Sequence, residues 1–276
     1  LAEWSVSVGD MSFAARRYGE DNAPAIVLIR GLGTQLIEWS PVLLEALVAG
    51  GLQAIIFDNR DVGASSKMQD SYALADMAGD VTGILDALEI ERAHIFGISL
   101  GGMIAQLVAV NYPQRVRCLF SVMSSSGAPD LPPADRAVRD RMLERAVGRD
   151  AVIALDASNR QLFGSPGYPE SEASRLTIAT QVYDRCYYPE GVARQMEAAL
   201  ADGSRVDRLH QISAPTLVIH GADDPLLLPA CGEDTARHIP AAELQMIAGM
   251  GHNIPDTLAP DIAARVLEFI TRHPDS

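Results

Sequence analysis

The sequence predicts an α/β protein: a mostly parallel sheet flanked by helices, with a helical cap inserted between two strands. Three observations predict it. Short apolar runs bounded by turn residues recur at Ala25–Ile29, Leu52–Phe57, His94–Ile98, Val116–Met123, Thr216–Ile219 and Leu244–Ile247. Such continuous runs, unlike alternating ones, suit strands buried on both faces, which is the environment of parallel sheets. Helix-like segments fall between them, as parallel crossovers require, and the rhythm is interrupted once, between about Gly127 and Val206, where strand-like runs disappear.

Taken in order, Trp4–Val8 and Ser12–Tyr18 alternate in polarity around Gly9 and Asp10, which predicts an antiparallel hairpin at the sheet edge. The runs that follow are separated by helix-like segments at Pro41–Val48, Tyr72–Leu88 and Leu100–Asn111. The stretch 127–206 bears Arg and Glu at helical density and is punctuated by Gly164, Pro166, Gly167 and Pro169. Because the strand pattern resumes at Thr216 and ends with the helix-like Asp261–Arg272, this stretch reads as an insertion. The expected organisation is one core, 1–126 with 207–276, and a helical cap, 127–206. A chain of 276 residues is long enough for this at about 150 residues per domain.

Composition narrows the partners. Hydrophobic residues make up 48% and charged residues 21%, which excludes disordered and fibrous classes. Lys and Arg number 22 against 36 Asp and Glu, a net charge of −14, so nucleic acid and anionic membranes are disfavoured as partners. The richest arginine stretch, Arg136 to Arg149, alternates with acids as a solvated helix face does. Cys118, Cys186 and Cys231 are dispersed and lack metal-ligand spacing, so neither a disulfide framework nor a zinc site is expected. No run reaches the roughly 18 apolar residues of a membrane span. Residues 1–10 carry Glu3 and Asp10 without a basic segment or apolar run, so no signal peptide is expected, although a start at Leu1 leaves room for a trimmed leader. A cytoplasmic protein is the expectation, with a homodimer left open.

Chemistry concentrates in the turns that follow the strands. After His94–Ile98 the chain reads Gly97-Ile98-Ser99-Leu100-Gly101-Gly102 and enters a helix-like segment. A Gly-x-Ser-x-Gly sequence in strand-turn-helix context forces the serine into a strained turn that projects its hydroxyl, with flanking glycines keeping strand and helix apart. Ser99 is therefore the candidate nucleophile. A serine needs a base, and the base needs a carboxylate to hold its tautomer. Of six histidines, His252 stands in Gly249-Met250-Gly251-His252-Asn253, directly after the last strand, and is the candidate base. The strand ending at His220 leads into Gly221-Ala222-Asp223-Asp224-Pro225. Asp224 is preferred as the acid, three residues past the glycine and stiffened by Pro225, with Asp223 expected to face solvent or cap the turn.

The tetrahedral intermediate also needs two backbone donors, each worth about 3 kcal/mol in analogous sites. Leu100, following the nucleophile, supplies one N–H. Leu32, in Arg30-Gly31-Leu32-Gly33 after the first parallel strand, is the candidate for the other. Read as a phosphate loop, that segment is too short and lacks the Lys and Ser/Thr of a nucleotide site. Asp58-Asn59-Arg60-Asp61-Val62-Gly63-Ala64-Ser65-Ser66 reads as structural support, with Asp58 and Arg60 close enough to pair.

With these motifs in this order the chain resembles the α/β-hydrolase family over nearly its full length. Within it, the chain looks most like the serine carboxylesterase branch that includes aclacinomycin methylesterase, because Arg60 is followed by Asp61 where Gly is commoner, and because Tyr188-Pro189-Glu190-Gly191 recurs in that branch's cap. One departure is Arg30, where the family usually has His; the backbone oxyanion role does not need that side chain. The resemblance implies ester, thioester or lactone hydrolysis through an acyl-enzyme, without metal or organic cofactor. Family members using Asp or Cys at the elbow are disfavoured by Ser99. The expected partner is a hydrophobic small-molecule ester. Trp39, Met103 and Tyr187 are the candidate substrate contacts, chosen beside the catalytic loops and from a cap that also carries Leu162, Phe163, Tyr168, Tyr183, Tyr188 and Met196. Rival expectations are carbon-carbon bond hydrolysis, lactonase activity and a slow-turnover ligand sensor on the same fold.

Overall fold

The computed structural model describes residues 3–274; Leu1 and Ala2, on which the expectation about the start of the chain partly falls, lie outside them. Eight strands form one sheet: β1 (Trp4–Val8), β2 (Met11–Tyr18), β3 (Ala25–Ile29), β4 (Gln53–Phe57), β5 (Ala93–Ile98), β6 (Val116–Val122), β7 (Thr216–Gly221) and β8 (Glu243–Ile247). Their spatial order is β1-β2-β4-β3-β5-β6-β7-β8. The first two strands pair antiparallel with each other, and β2 runs antiparallel to β4; every pairing from β4 to β8 is parallel.

The continuous apolar runs behave as their pattern requires. Every residue of β3 is buried, with Ala25, Val27 and Ile29 on one face and Ile26 and Leu28 on the other. Helices α1 (Pro41–Ala49) and α10 (Ala259–Arg272) cover the second face through Leu43, Leu47, Ile262 and Phe269. The first is covered by α2 (Leu74–Ala87) and α3 (Leu100–Asn111), through Met77, Ile84, Ile104 and Leu107. Both faces being apolar is what lets the strands dispense with alternation. Local signals set the ends: Ser40 caps α1 by accepting from the Leu43 N–H at 3.2 Å, with Pro41 in the first turn.

Between β6 and β7 come α4 (Arg136–Leu143), α5 (Arg149–Phe163), α6 (Glu172–Arg185), α7 (Pro189–Asp202) and the single turn α8 (Val206–Leu209), with no strand among the described residues. A tenth helix, α9 (Pro229–His238), joins β7 to β8. Cys118 and Cys231 are buried and Cys186 is partly exposed, each as a thiol. Among the described residues no helix is long and apolar enough to cross a membrane.

Parallel connectivity carries each β-to-α turn to the same edge of the sheet. The segments after β3, β4, β5, β7 and β8 therefore converge, although they are scattered over more than two hundred positions of the chain.

Candidate active site

Ser99 sits between β5 and α3 with φ 55° and ψ −121°, a left-handed backbone that a serine adopts only under constraint. The constraint comes from both directions. Its N–H donates to Val122 O at 3.0 Å, and its carbonyl accepts from Gly102 N at 2.9 Å and from Ser124 Oγ at 2.8 Å. The glycines of the motif are sterically obligatory. A Cβ on Gly97 would lie 2.0 Å from Gly101 O, and one on Gly101 would lie 2.2 Å from Ile29 O, so the second glycine also guards the approach to β3.

Of the two adjacent aspartates, Asp224 reaches the histidine: its Oδ2 accepts from His252 Nδ1 at 2.7 Å. Its Oδ1 accepts from the N–H groups of Leu226 and Leu227 at 2.8 and 3.0 Å. Asp224 is therefore buried yet fully engaged. Asp223 is exposed and caps the base loop instead, accepting from Gly249 N at 2.7 Å. Because Nδ1 serves the carboxylate, the Nε2 of neutral His252 carries the lone pair. No hydrogen bond joins His252 to Ser99 Oγ among the described residues; the alignment of such a pair often tightens only when substrate binds.

The base loop is gripped from the helical segment. His252 N donates to Phe163 O at 2.7 Å and Gly251 N to Ser165 Oγ at 2.9 Å. Beneath the acid, His220 is buried, donates from Nε2 to Leu227 O at 2.7 Å and lies 3.6 Å from Asp224 Oδ2. Burial holds its imidazole below the usual histidine range, so it stays neutral beside the carboxylate.

The two candidate oxyanion donors, the N–H groups of Leu32 and Leu100, donate to no acceptor among the described residues. A Cβ on Gly31 would stand 3.1 Å from Ser99 Cβ and 3.6 Å from its Oγ, which places this loop directly against the serine side chain. Arg30, at the family's usual His position, turns away. Its guanidinium lies 4.9 Å from the centroid of the Trp39 ring and donates to Thr34 Oγ1 and Glu38 O, while burial draws its pKa down to about 10.

The three expected substrate contacts separate. Trp39 is 4% exposed and packs edge-on to Phe96 at 5.9 Å, a core position. Met103, on α3, is partly buried and packs against the core on that face of the sheet. Only Tyr187, half-exposed and stacked on Tyr183 at 4.9 Å, lines a cavity, of about 300 Å³, shared with Leu32, Gly33, Ile153, Val182 and Val192.

The expected Asp58–Arg60 pairing is corrected. Asp58 accepts from Leu36 N, Ala64 N and Arg185 of α6 at 2.7, 2.9 and 2.6 Å. Arg60 pairs bidentately with Asp80 of α2, both contacts 2.6 Å, under the ring of Tyr72. Each group is desolvated, and each takes a partner that approaches from another element with better geometry than a near neighbour offers. Asp61 has φ 70°, which explains why glycine is commoner there, and it is held by Arg194 of α7 at 2.9 and 3.1 Å. Gln35, Arg185, Arg194 and Gln195 were not singled out by sequence, because their partners lie more than a hundred positions away.

Residues 24–257 match the profile of the alpha/beta hydrolase fold. A 3-oxoadipate enol-lactonase from Acinetobacter baylyi is 30% identical over 88% of this chain and 87% of its own. A rhodomycin D methylesterase from Streptomyces sp. strain C5 is 27% identical over 95% of this chain and 93% of its own, in keeping with the expected resemblance to a methylesterase branch. Among solved structures, the enol-lactonase from Burkholderia xenovorans superposes with a TM-score of 0.81 at 26% identity, covering 97% of this chain and 99% of that one.

Proposed function

The chain belongs to the α/β-hydrolase fold family, and on that premise we propose that it is a serine hydrolase cleaving a carboxylic ester of a hydrophobic small molecule through an acyl-enzyme. The observation that carries the reading is the 2.7 Å bond between Asp224 Oδ2 and His252 Nδ1, formed at the sheet edge where Ser99 projects from its turn.

In this reading Ser99 Oγ attacks the ester carbonyl carbon while His252 Nε2 takes its proton. The carbonyl oxygen becomes an oxyanion and accepts from the N–H groups of Leu32 and Leu100, which donate to no acceptor among the described residues. Asp224 keeps the ring proton on Nδ1 and stabilises the imidazolium that forms. As the tetrahedral carbon collapses, the C–O bond to the alcohol breaks and His252 returns the proton to the leaving oxygen. Water then attacks the acyl group by the same steps in reverse, releasing a carboxylate and restoring Ser99.

The division into a core, 1–126 with 207–276, and a cap, 127–206, belongs to the same proposal. The cavity beside Leu32 sets Ile153, Val182, Tyr183, Tyr187 and Val192 beside the charged Glu38, Asp156 and Arg160, and its apolar wall supports a hydrophobic group on the substrate. The test is hydrolysis of a p-nitrophenyl ester series by the parent and Ser99→Ala, with a p-nitrophenol burst expected only from the parent. Turnover of the variant at near-parental rate would overturn the assignment. A lactone is the second reading, favoured by the 30% identical relative named an enol-lactonase. It uses the same residues, and a strong preference for lactones over acyclic esters would select it.

A further inference from the structure

Gln195 is the one fully buried amide on α7, and nothing in the reaction described above uses it. Both ends of its side chain are committed. Oε1 accepts from Gly33 N at 2.9 Å and Nε2 donates to Arg60 O at 2.8 Å. An N–H requires an acceptor and a carbonyl requires a donor, so the orientation of the amide is dictated. The bridge therefore joins three elements: the oxyanion loop, the turn after β4, and a helix of the segment between β6 and β7.

We infer that Gln195 is a positioning residue that holds the oxyanion loop in its donating geometry, so that α7 sets how strongly the site binds a developing oxyanion. The inference rests on the serine-hydrolase reading.

Gly33 directly follows Leu32, and its N–H is attached across the ψ torsion of Leu32. Gly33 has φ 65°, a conformation with little steric penalty for glycine but no preference of its own, so something else must select it. On the other side of Leu32, Gly31 is packed against Ser99. With Gly31 fixed by contact and the Gly33 N–H fixed by Gln195, the Leu32 N–H is left one direction. Val192, on the same face of α7, closes over the loop from above; a Cβ on Gly33 would lie 2.8 Å from its Cγ2.

The helix is itself anchored. Gly191 packs so tightly that a Cβ there would lie 2.4 Å from Asp61 O, and Arg194 holds the Asp61 carboxylate while also donating to Tyr188 Oη at 2.7 Å. Asp61 and the Tyr188–Gly191 turn, singled out separately in the sequence, are thus two halves of one joint. Gln195 passes the position of that joint to the loop.

An oxyanion donor acts only once charge has developed, so losing its alignment lowers kcat and leaves ground-state binding nearly unchanged. The experiment compares the parent, Ser99→Ala, Gln195→Leu and Gln195→Met on a p-nitrophenyl ester. Inhibition by a phenylboronic acid, which forms a tetrahedral adduct with the serine, is measured alongside. Met keeps the length of the side chain and loses both hydrogen bonds, so it serves if the Leu variant does not fold. The expected result for a folded variant is a kcat lowered tenfold or more, KM within twofold, and boronate affinity weakened in step with kcat. Parental kcat and boronate affinity in a folded variant would overturn the inference alone, whatever its melting temperature. A parent no more active than Ser99→Ala would remove the serine-hydrolase reading first and this inference with it.

Discussion

Asp224 has two separable tasks, and two substitutions divide them. Its Oδ2 orients His252 at 2.7 Å, while its Oδ1 satisfies the backbone N–H groups of Leu226 and Leu227. In Asp224→Asn the amide oxygen keeps the two backbone bonds and its NH2 group then faces His252 Nδ1. That nitrogen must present a lone pair, so the ring proton moves to Nε2, where in the proposed reaction the Ser99 proton has to arrive. The analogous change in a serine protease lowers kcat roughly 10⁴-fold, which at 1.36 kcal/mol per decade is about 5 kcal/mol of transition-state stabilisation. Asp224→Ala loses the same function and also strands two N–H groups, at about 1–3 kcal/mol each. The lower end applies because Leu226 and Leu227 are only partly buried. About 2 kcal/mol corresponds to a Tm roughly 4–8 °C lower in a chain of this size. Steady-state ester hydrolysis and thermal unfolding of both variants measure the two quantities. A kcat within tenfold of the parent in the Asn variant, or equal melting of the two variants, would refute the reasoning.

The remaining predictions concern the scaffold. Gly101→Ala drives a Cβ against two backbone oxygens, of Ile29 at 2.2 Å and Arg30 at 2.6 Å, neither on a movable side chain; a loss of at least about 3 kcal/mol is expected in denaturant unfolding, and parental stability would contradict it. Burial, with Arg117 and Arg92 adding to it, lowers His94 to a pKa of about 4. The unfolded chain therefore takes up that proton first, and stability falls as pH drops from about 6.5 towards 4. His94→Phe should remove roughly 2 kcal/mol of the stability difference between pH 7 and pH 5, and an unchanged pH profile would count against it. Arg194→Met leaves the fully buried Asp61 side chain without its cation and should cost about 3 kcal/mol; Asp61→Gly in the same chain, which removes the charge and relieves the left-handed φ, should restore most of it, and no recovery would discard the pairing as the cause.

Much of the core was legible locally. The apolar runs mark β3 to β8 to within two residues, because strands covered on both faces favour apolar side chains at both parities; buried Gln53, His94 and Ser121 interrupt the pattern, and edge strand β8 is only partly covered. Ser99 was legible for a related reason: a left-handed serine needs small neighbours, and Gly97 and Gly101 record that need in adjacent positions. Asp224 and His252 were legible because each follows a strand, and parallel topology brings such loops to one edge. The depth of Trp39 was not legible. An aromatic residue beside a catalytic loop can face the substrate or the core, and only its packing on Phe96 distinguishes them.

What the sequence determined alone is therefore what short-range sterics and hydrophobic period encode: the α/β order, the elbow, and the loops able to carry an acid and a base. The tertiary structure decided which buried charges meet. Asp58 turns to Arg185, Arg60 to Asp80, Asp61 to Arg194, and Gln195 ties the loop after β3 to α7. A desolvated polar group must find a partner of correct geometry. The side chain that meets this demand is selected by packing in three dimensions, so distance along the chain carries no trace of it.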